Sequence, residues 1–95
     1  NPNQPIVVDL HIHELLDSNN RLSNSDMLQV QLDHFRKIMQ QNQKKKGQKI
    51  IFIHGKGEGV LRKAITEELR HKYHNCQIQD ASFREYGFGA TQVTI

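Results

Sequence analysis

The feature that most constrains the fold is the nearly continuous apolar run Lys49–Ile53, which leads directly into a glycine-rich turn. A run without polar alternation is typical of a strand buried on both faces of a sheet. The turn, residues 54–59, then opens a helical pattern from Val60 to about His74, with apolar residues at helical spacing. A buried strand, a glycine turn and a helix in this order indicate an α/β arrangement.

Periodicity and turn chemistry predict the other elements. These are a strand at Ile6–His11, a loop at 15–24, a helix from about Asp26 to about Asn42 that opens with a Ser23/Asp26 capping box, a weak strand at Gln77–Arg84, a turn at Tyr86–Gly89 and a final strand at Ala90–Ile95. The order is β-α-β-α-β-β, so the β-α-β steps predict parallel strands with right-handed crossovers. The last two strands should be antiparallel. We therefore expect an α/β fold, more closely an α+β two-layer sandwich with a mixed four-stranded sheet and two covering helices.

Composition sets limits on the class of protein. The 95 residues suit one domain, which we place at 6–95 after a linker or tail at 1–5. The net charge of +3 is compatible with a polyanionic partner without demanding one. A single cysteine, Cys76, allows no internal disulfide, and no apolar run approaches the ~18 residues of a membrane span. We expect a cytoplasmic protein with no membrane partner, and the start at Asn1 suggests a piece of a longer polypeptide.

The first segment with possible chemistry lies at the end of the first strand. Asp9 and His11 are two residues apart, so they project from the same face if the strand continues. A carboxylate beside an imidazole can orient the ring for general acid or base chemistry, or the two can hold a phosphate or a metal. The alternative is an aspartate that bonds loop backbone and a histidine that merely ends the strand. Two ligands are no metal signature, so a divalent metal stays open.

The second segment is the turn that opens the second helix. Backbone amides at a helix N-terminus attract anions, and glycines allow close approach. The residues that would form an anion site are His54, Gly55, Lys56, Gly57, Gly59 and Arg62. Neither a P-loop nor a dinucleotide fingerprint is present. The alternative is a glycine-rich turn with a solvated lysine.

The third segment, residues 86–91, is by itself typical of a hairpin turn; its functional alternative presents a backbone loop and an aromatic to a ligand. The remaining histidines give weaker signals. His13 should point away from His11 if the strand continues, and His34, His71 and His74 should lie on helix surfaces. Lys44–Lys46 should be a solvated run at a helix end.

Together these segments resemble the small MutS-related, or Smr, domain family. Its Leu-Asp-Leu-His-Gly, His-Gly-x-Gly and Gly-x-Gly-Ala-Thr stretches appear here as residues 8–12, 54–57 and 87–91. The resemblance spans 6–95 and implies a fold similar to the C-terminal domain of translation initiation factor 3. It also implies binding of DNA or RNA, nicking endonuclease or ribonuclease activity in several members, and a C-terminal position in a longer protein.

By this resemblance, the active-site or phosphate-contact positions are Asp9, His11, His54, Gly55, Lys56 and Gly57, and the adjoining loop positions are Gly87, Gly89, Ala90 and Thr91. One position departs from the pattern, because Ile12 stands where the family has glycine. A β-branched residue does not readily adopt a glycine-only conformation. We therefore expect the loop after the first strand to differ, with His13 and Glu14 where the family's loop turns.

Three functional hypotheses follow. The leading one is an endonuclease-like domain in which His11 or His54 carries a proton, Asp9 orients an imidazole, and Lys56 with the glycine amides stabilises phosphate charge. The second is a non-catalytic module that docks its parent protein on nucleic acid or on a protein, which the Ile12 departure favours. The third is a dimerisation or stability domain without a ligand.

Overall fold

The predicted frame of strands and long helices is confirmed in a computed structural model, which describes residues 4–18, 21–87 and 89–95. The elements are β1 (Ile6–Asp9), α1 (Ile12–Leu15), α2 (Asn24–Asn42), β2 (Lys49–Ile53), α3 (Val60–Lys72), β3 (Gln77–Asp80), α4 (Phe83–Tyr86) and β4 (Ala90–Thr94). The single-turn helices α1 and α4 were not predicted. The α+β class with a mixed four-stranded sheet is confirmed.

The sheet has the strand order β1-β2-β4-β3. β1 is parallel to β2, whereas β4 is antiparallel to both of its neighbours, β2 and β3. β3 therefore runs in the same direction as β2, with β4 inserted between them. Both predicted relationships, parallel strands across each helix and an antiparallel final pair, are confirmed.

The core lies between the sheet and the pair formed by α2 and α3. An apolar stripe of each helix faces it, and Phe35 of α2 packs edge-on against Phe52 of β2 with ring centroids 4.9 Å apart. On the other face of β2, Ile51 packs with Ala81 and Ala90. Because β2 is covered on both faces, its apolar run has no polar alternation.

The first strand is shorter than predicted. It ends at Asp9 rather than His11, because the Asp9 carboxylate accepts the backbone N–H of His11 and turns the chain into α1. Leu15 therefore ends a helix instead of opening a loop, and Asn19 and Asn20 of that predicted loop lie outside the described residues. α2 begins at Asn24, directly after its N-cap Ser23, and the predicted Ser23/Asp26 capping box is confirmed.

The region after β3 also differs from the prediction. The strand stops at Asp80, and the chain forms the helical turn α4 before Gly87, whose φ of 68° ends that turn. The predicted tight turn is therefore a longer connection, and Phe88, its aromatic candidate, lies outside the described residues.

No helix in the described part of the chain is long and apolar enough to cross a membrane. The 1–5 tail, part of which is outside the described residues, stays a prediction.

Candidate functional site

The three segments singled out in the sequence meet at one edge of the sheet. Asp9 ends β1 beside Ile53, the last residue of β2, and Ile53 in turn pairs with Ala90, the first residue of β4. The parallel pairing of β1 and β2 places both of their carboxyl ends at this edge. Antiparallel pairing brings the start of β4 to the same place.

Asp9 and His11 form a direct pair. One carboxylate oxygen of Asp9 accepts the His11 backbone N–H at 2.9 Å and lies 2.8 Å from ring nitrogen Nδ1. Burial opposes ionisation of Asp9, but the hydrogen bonds and charge of His11, with the charge of His13, outweigh it and lower the pKa of Asp9. Because an ionised carboxylate only accepts, Nδ1 carries a proton, and Nε2 is the nitrogen that can act as a base.

This pair combines both alternatives drawn from the sequence. Asp9 bonds loop backbone and also orients His11, although His11 lies beyond the end of the strand. The Asp9 and His11 side chains are 39% and 41% exposed, so a ligand can reach them. Among the described residues, Nε2 of His11 makes no hydrogen bond.

Two glycines allow the segments to approach closely. A Cβ on Gly55 would lie 2.9 Å from His11 Nε2, and one on Gly89 would lie 3.0 Å from the Gly55 backbone. The Gly89 carbonyl accepts the N–H groups of both His54 and Gly55, at 2.9 and 3.0 Å. A side chain at Gly55 would displace the His11 ring, and one at Gly89 would press on the Gly55 backbone, so glycine at both positions allows this close approach.

His54 is a buried, fully bonded histidine, 8% exposed. Its Nδ1–H donates to the Gly55 carbonyl at 2.9 Å, so Nε2 is the atom that accepts the Thr91 hydroxyl at 2.9 Å. Burial lowers the pKa of His54, which keeps the ring neutral. Because both of its ring nitrogens are hydrogen-bonded within the domain, His54 is better suited to holding β2 and β4 together than to carrying a proton.

A cleft of about 520 Å³ lies between the glycine turn, the start of α2 and Ile12. Its lining includes Met27, Leu28, Gly55, Lys56 and Arg62, but neither Asp9 nor His11. Gly55 borders the cleft and also contacts His11. α3 begins beside the cleft after Gly59, whose φ is 80°, and no side chain caps its first amides. The cleft thus combines apolar walls with backbone donors.

The other predicted contact residues occupy different surroundings. Arg62 forms an exposed ion pair with Asp80 at 2.6 Å, which is the kind of pair a phosphate replaces at little cost. Lys56 and Gly57 are exposed on the turn, and Gly87 is half-buried. Ala90 and Thr91 are each 3% exposed, so they belong to the framework behind the site.

One contributor was missed from the sequence. Gln31 of α2 donates from Nε2 to the Leu10 carbonyl at 2.8 Å and holds the end of β1. His13 was expected to point away from His11 only if the strand continued; the strand stops at Asp9, and the two rings stack with centroids 5.5 Å apart. Ile12 adopts helical backbone, and no non-glycine residue in the described ranges has positive φ.

No group of three or more histidine, cysteine, aspartate or glutamate side chains in the described residues is arranged to hold a metal ion. Asp9 and His11 are two ligands at most. A divalent metal at this edge stays a prediction.

Comparison with known proteins identifies the family. The Smr domain model matches residues 27–95, which is most of the chain. The chain belongs to the Smr domain family. The match begins inside α2, so β1 and the Asp9–His11 pair lie before it.

The curated relatives of this Smr domain are much longer proteins. It is 51% identical over 43 residues to endonuclease MutS2 of Finegoldia magna, covering 45% of this chain and 6% of that protein. It is 44% identical over 46 residues to endonuclease MutS2 of Clostridium perfringens, and 41% identical over 46 residues to that of Clostridium tetani; each match covers 48% of this chain and 6% of the relative. No solved structure matches the chain. The similarity to the initiation factor domain therefore stays a prediction.

Proposed function

We propose that this Smr domain binds DNA or RNA at the glycine-lined sheet edge and cleaves a phosphodiester bond there. The observation that carries the proposal is the Asp9–His11 pair, in which a carboxylate holds Nδ1–H and leaves Nε2 as a base against Gly55. The endonuclease names of the relatives support the same class of reaction.

In this mechanism each part of the edge has a separate role. His11 Nε2 accepts the proton of the attacking water or ribose hydroxyl, and Asp9 keeps the ring in the required tautomer. As the attacking oxygen bonds to phosphorus, the bond from phosphorus to the leaving oxygen breaks, and that oxygen takes a proton from solvent. The amides of the glycine turn and Lys56 stabilise the phosphate charge that develops during attack. His54 keeps Gly55 and Thr91 in place without exchanging protons.

The partner is a nucleic acid held mainly through its phosphates. The net charge of +3 and the uncapped start of α3 favour a polyanion. The domain would act within a longer polypeptide, as the 6% coverage of the MutS2 relatives suggests. A cytoplasmic location also stays a prediction.

Cleavage is tested on supercoiled DNA and on structured RNA, with and without divalent metal. Wild-type protein is expected to cut, and His11→Ala to lose about 10²–10⁴-fold in rate. His74→Ala, at an exposed position outside the site, is the matched control and should cut normally. Salt-sensitive binding without cleavage under any metal condition would instead support the non-catalytic module. If the protein neither binds nor cleaves nucleic acid, the result would support the third hypothesis, a dimerisation or stability domain without a ligand.

Binding gives a second, independent test. Lys56→Ala should weaken affinity for an oligonucleotide more than Lys45→Ala does. Lys56 lines the cleft beside the glycine turn, where amides and helix dipole favour an anion, whereas Lys45 is in an exposed run after α2. Affinity should also fall steeply with salt. Equal losses for the two variants, measured by titration at fixed salt, would move the binding surface to the lysine run.

A further inference from the structure

The cleft beside the glycine turn has apolar walls that the mechanism above does not use. Val60, the first residue of α3, lines the cleft and is 56% exposed. Ile12 of α1 and Met27 and Leu28 of α2 line it as well, and all three are only partly buried. A ligand that displaces water from these side chains gains free energy with the apolar area that it covers.

The cleft is continuous with the proposed cleavage site and carries positive charge. Gly55 belongs to its lining and also contacts His11, so a ligand in the cleft lies next to the reacting edge. Lys56 and Arg62, both exposed, belong to the lining too. The chemistry of the cleft therefore matches a ligand with an apolar body attached to a negatively charged backbone.

We propose that the cleft binds one unpaired nucleobase of the strand whose phosphate is cleaved. This inference rests on the proposed function, because a phosphodiester at the glycine-lined edge brings the adjoining base within reach of the cleft. Bases inside a duplex are stacked and paired, so only a base that is unpaired or turned out of the stack can enter. The domain is then directed to nucleic acid at positions where pairing is interrupted.

The size and the polar groups of the cleft support a base as its occupant. Its volume of about 520 Å³ lies within the range of roughly 300–1,000 Å³ that is typical of small-ligand pockets. The Asn24 amide and the Ser25 hydroxyl line it at the start of α2, and both groups can donate and accept hydrogen bonds. Base pockets combine such groups for the edge of the ring with apolar side chains for its faces. An apolar peptide side chain would use the walls but not the positive charge.

Ile12 connects the cleft to the position where the sequence departs from the Smr pattern. Glycine at this position would leave the cleft without one of its apolar side chains. Because Ile12 adopts the helical backbone of α1, the departure strains nothing in the chain and adds apolar surface beside the site. This is the change that binding of a base requires.

The first experiment tests whether a base contributes to affinity. Three DNA duplexes of one sequence are titrated at fixed salt without divalent metal: an uninterrupted duplex, one with an extra unpaired adenine nucleotide, and one whose extra nucleotide has no base. The last two carry the same phosphates and differ in the base alone. We expect the adenine bulge to bind about 10-fold more tightly than either of the others.

The outcomes separate this inference from the proposed function. Equal affinities for the adenine bulge and the abasic bulge would overturn base binding and leave phosphate binding and cleavage intact. Absence of salt-sensitive binding to all three duplexes would overturn both proposals.

The second experiment assigns the base to the cleft. In the double variant Ile12→Ala/Val60→Ala, the preference for the adenine bulge over the abasic bulge should fall from about 10-fold to about 2-fold, because the base loses its apolar contacts. Affinity for the abasic bulge should not change, which also shows that the variant is folded. Val7→Ala is the matched control, since Val7 is 49% exposed on β1 and does not line the cleft. An unchanged preference in the double variant, or equal losses on the two bulged duplexes, would overturn the assignment.

Discussion

At the scale of single residues, Asp9 does two things with one oxygen. It accepts the backbone N–H that turns β1 into α1, and it accepts the ring proton that fixes the His11 tautomer. Local backbone geometry and site chemistry therefore depend on the same atom. Residues that act on one proton in this way should show non-additive mutational effects.

The Asp9–His11 pair gives a direct test of this dependence. Asp9→Asn and His11→Ala should each lower the cleavage rate by about 10²–10⁴-fold, and the double variant should be no slower than the slower single one. The physical reason is that an aspartate has nothing to orient once the imidazole is gone. Asp17→Asn, in the exposed loop after α1, is the control. Rates that multiply in the double variant would show independent roles.

The lowered pKa of His54 predicts how the free energy of unfolding depends on pH. Its pKa is lowered by burial from an ordinary value of 6.5, so below pH 6.5 the unfolded chain binds a proton that the folded domain does not. Its contribution to stability is complete above 6.5 and is lost as the pH falls toward the folded pKa. Urea unfolding at pH 8 and pH 5 should show a larger loss for wild type than for His54→Gln. Identical losses would mean that His54 is not held neutral.

At the scale of elements, α2 positions the site from a distance. Gln31, two turns into α2, holds the Leu10 carbonyl, while Arg36, five residues further on, makes a bidentate pair with Glu68 of α3. α2 thus joins the end of β1 to the helix that follows the glycine turn. The cleft lies between these two helices because both contacts fix where α2 sits.

The Arg36–Glu68 pair should respond unequally to truncation. The Glu68 side chain is 11% exposed, whereas that of Arg36 is 35% exposed and also contacts Asp33. Arg36→Ala leaves a nearly buried carboxylate unpaired and should cost about 2–3 kcal/mol in the free energy of unfolding; Glu68→Ala should cost about 1 kcal/mol. Denaturant titration measures both, with the exposed Lys37→Ala as a control. A larger cost for Glu68→Ala would contradict this account.

At the scale of the whole molecule, the order of the strands in the sheet decides which segments of the chain lie next to one another. β4 enters between β2 and β3, so Gly89 at its start packs on Gly55 at the end of β2. Gly55 then lies under His11 from the end of β1. Residues separated by most of the chain therefore form one layered contact.

Alanine variants of Gly47 and Gly55, two glycines of similar backbone conformation, distinguish the cost of backbone strain from the effect of a side chain on the site. Gly47 and Gly55 have φ of 85° and 79°, but a Cβ on Gly47 meets no atom within 4 Å, whereas one on Gly55 meets His11. Each alanine variant should lose about 1–2 kcal/mol of stability from positive φ. Only Gly55→Ala should also lose cleavage activity, because its Cβ displaces the His11 ring. Equal activities, assayed below the unfolding transition, would argue against this contact.

Much of the fold and part of the site could be predicted from local pattern. The apolar run of β2, the stripes of α2 and α3 and the Ser23/Asp26 capping box are short-range signals, so their elements are confirmed within a few residues. The single turns α1 and α4 were missed because four residues carry too little periodicity to distinguish a helical turn from a loop.

By itself, the sequence determined the class of fold, the family and which residue types can supply chemistry, since these depend on spacing along the chain. Only the tertiary structure decided what each residue does. His11 and His54 look alike as motif histidines, yet His11 is half-buried and its Nε2 bonds to none of the described residues, whereas His54 is buried and bonded to Gly55 and Thr91. His13 contacts His11 only because the strand ends early. Burial and long-range hydrogen bonds set proton positions, and neither is a property of local sequence.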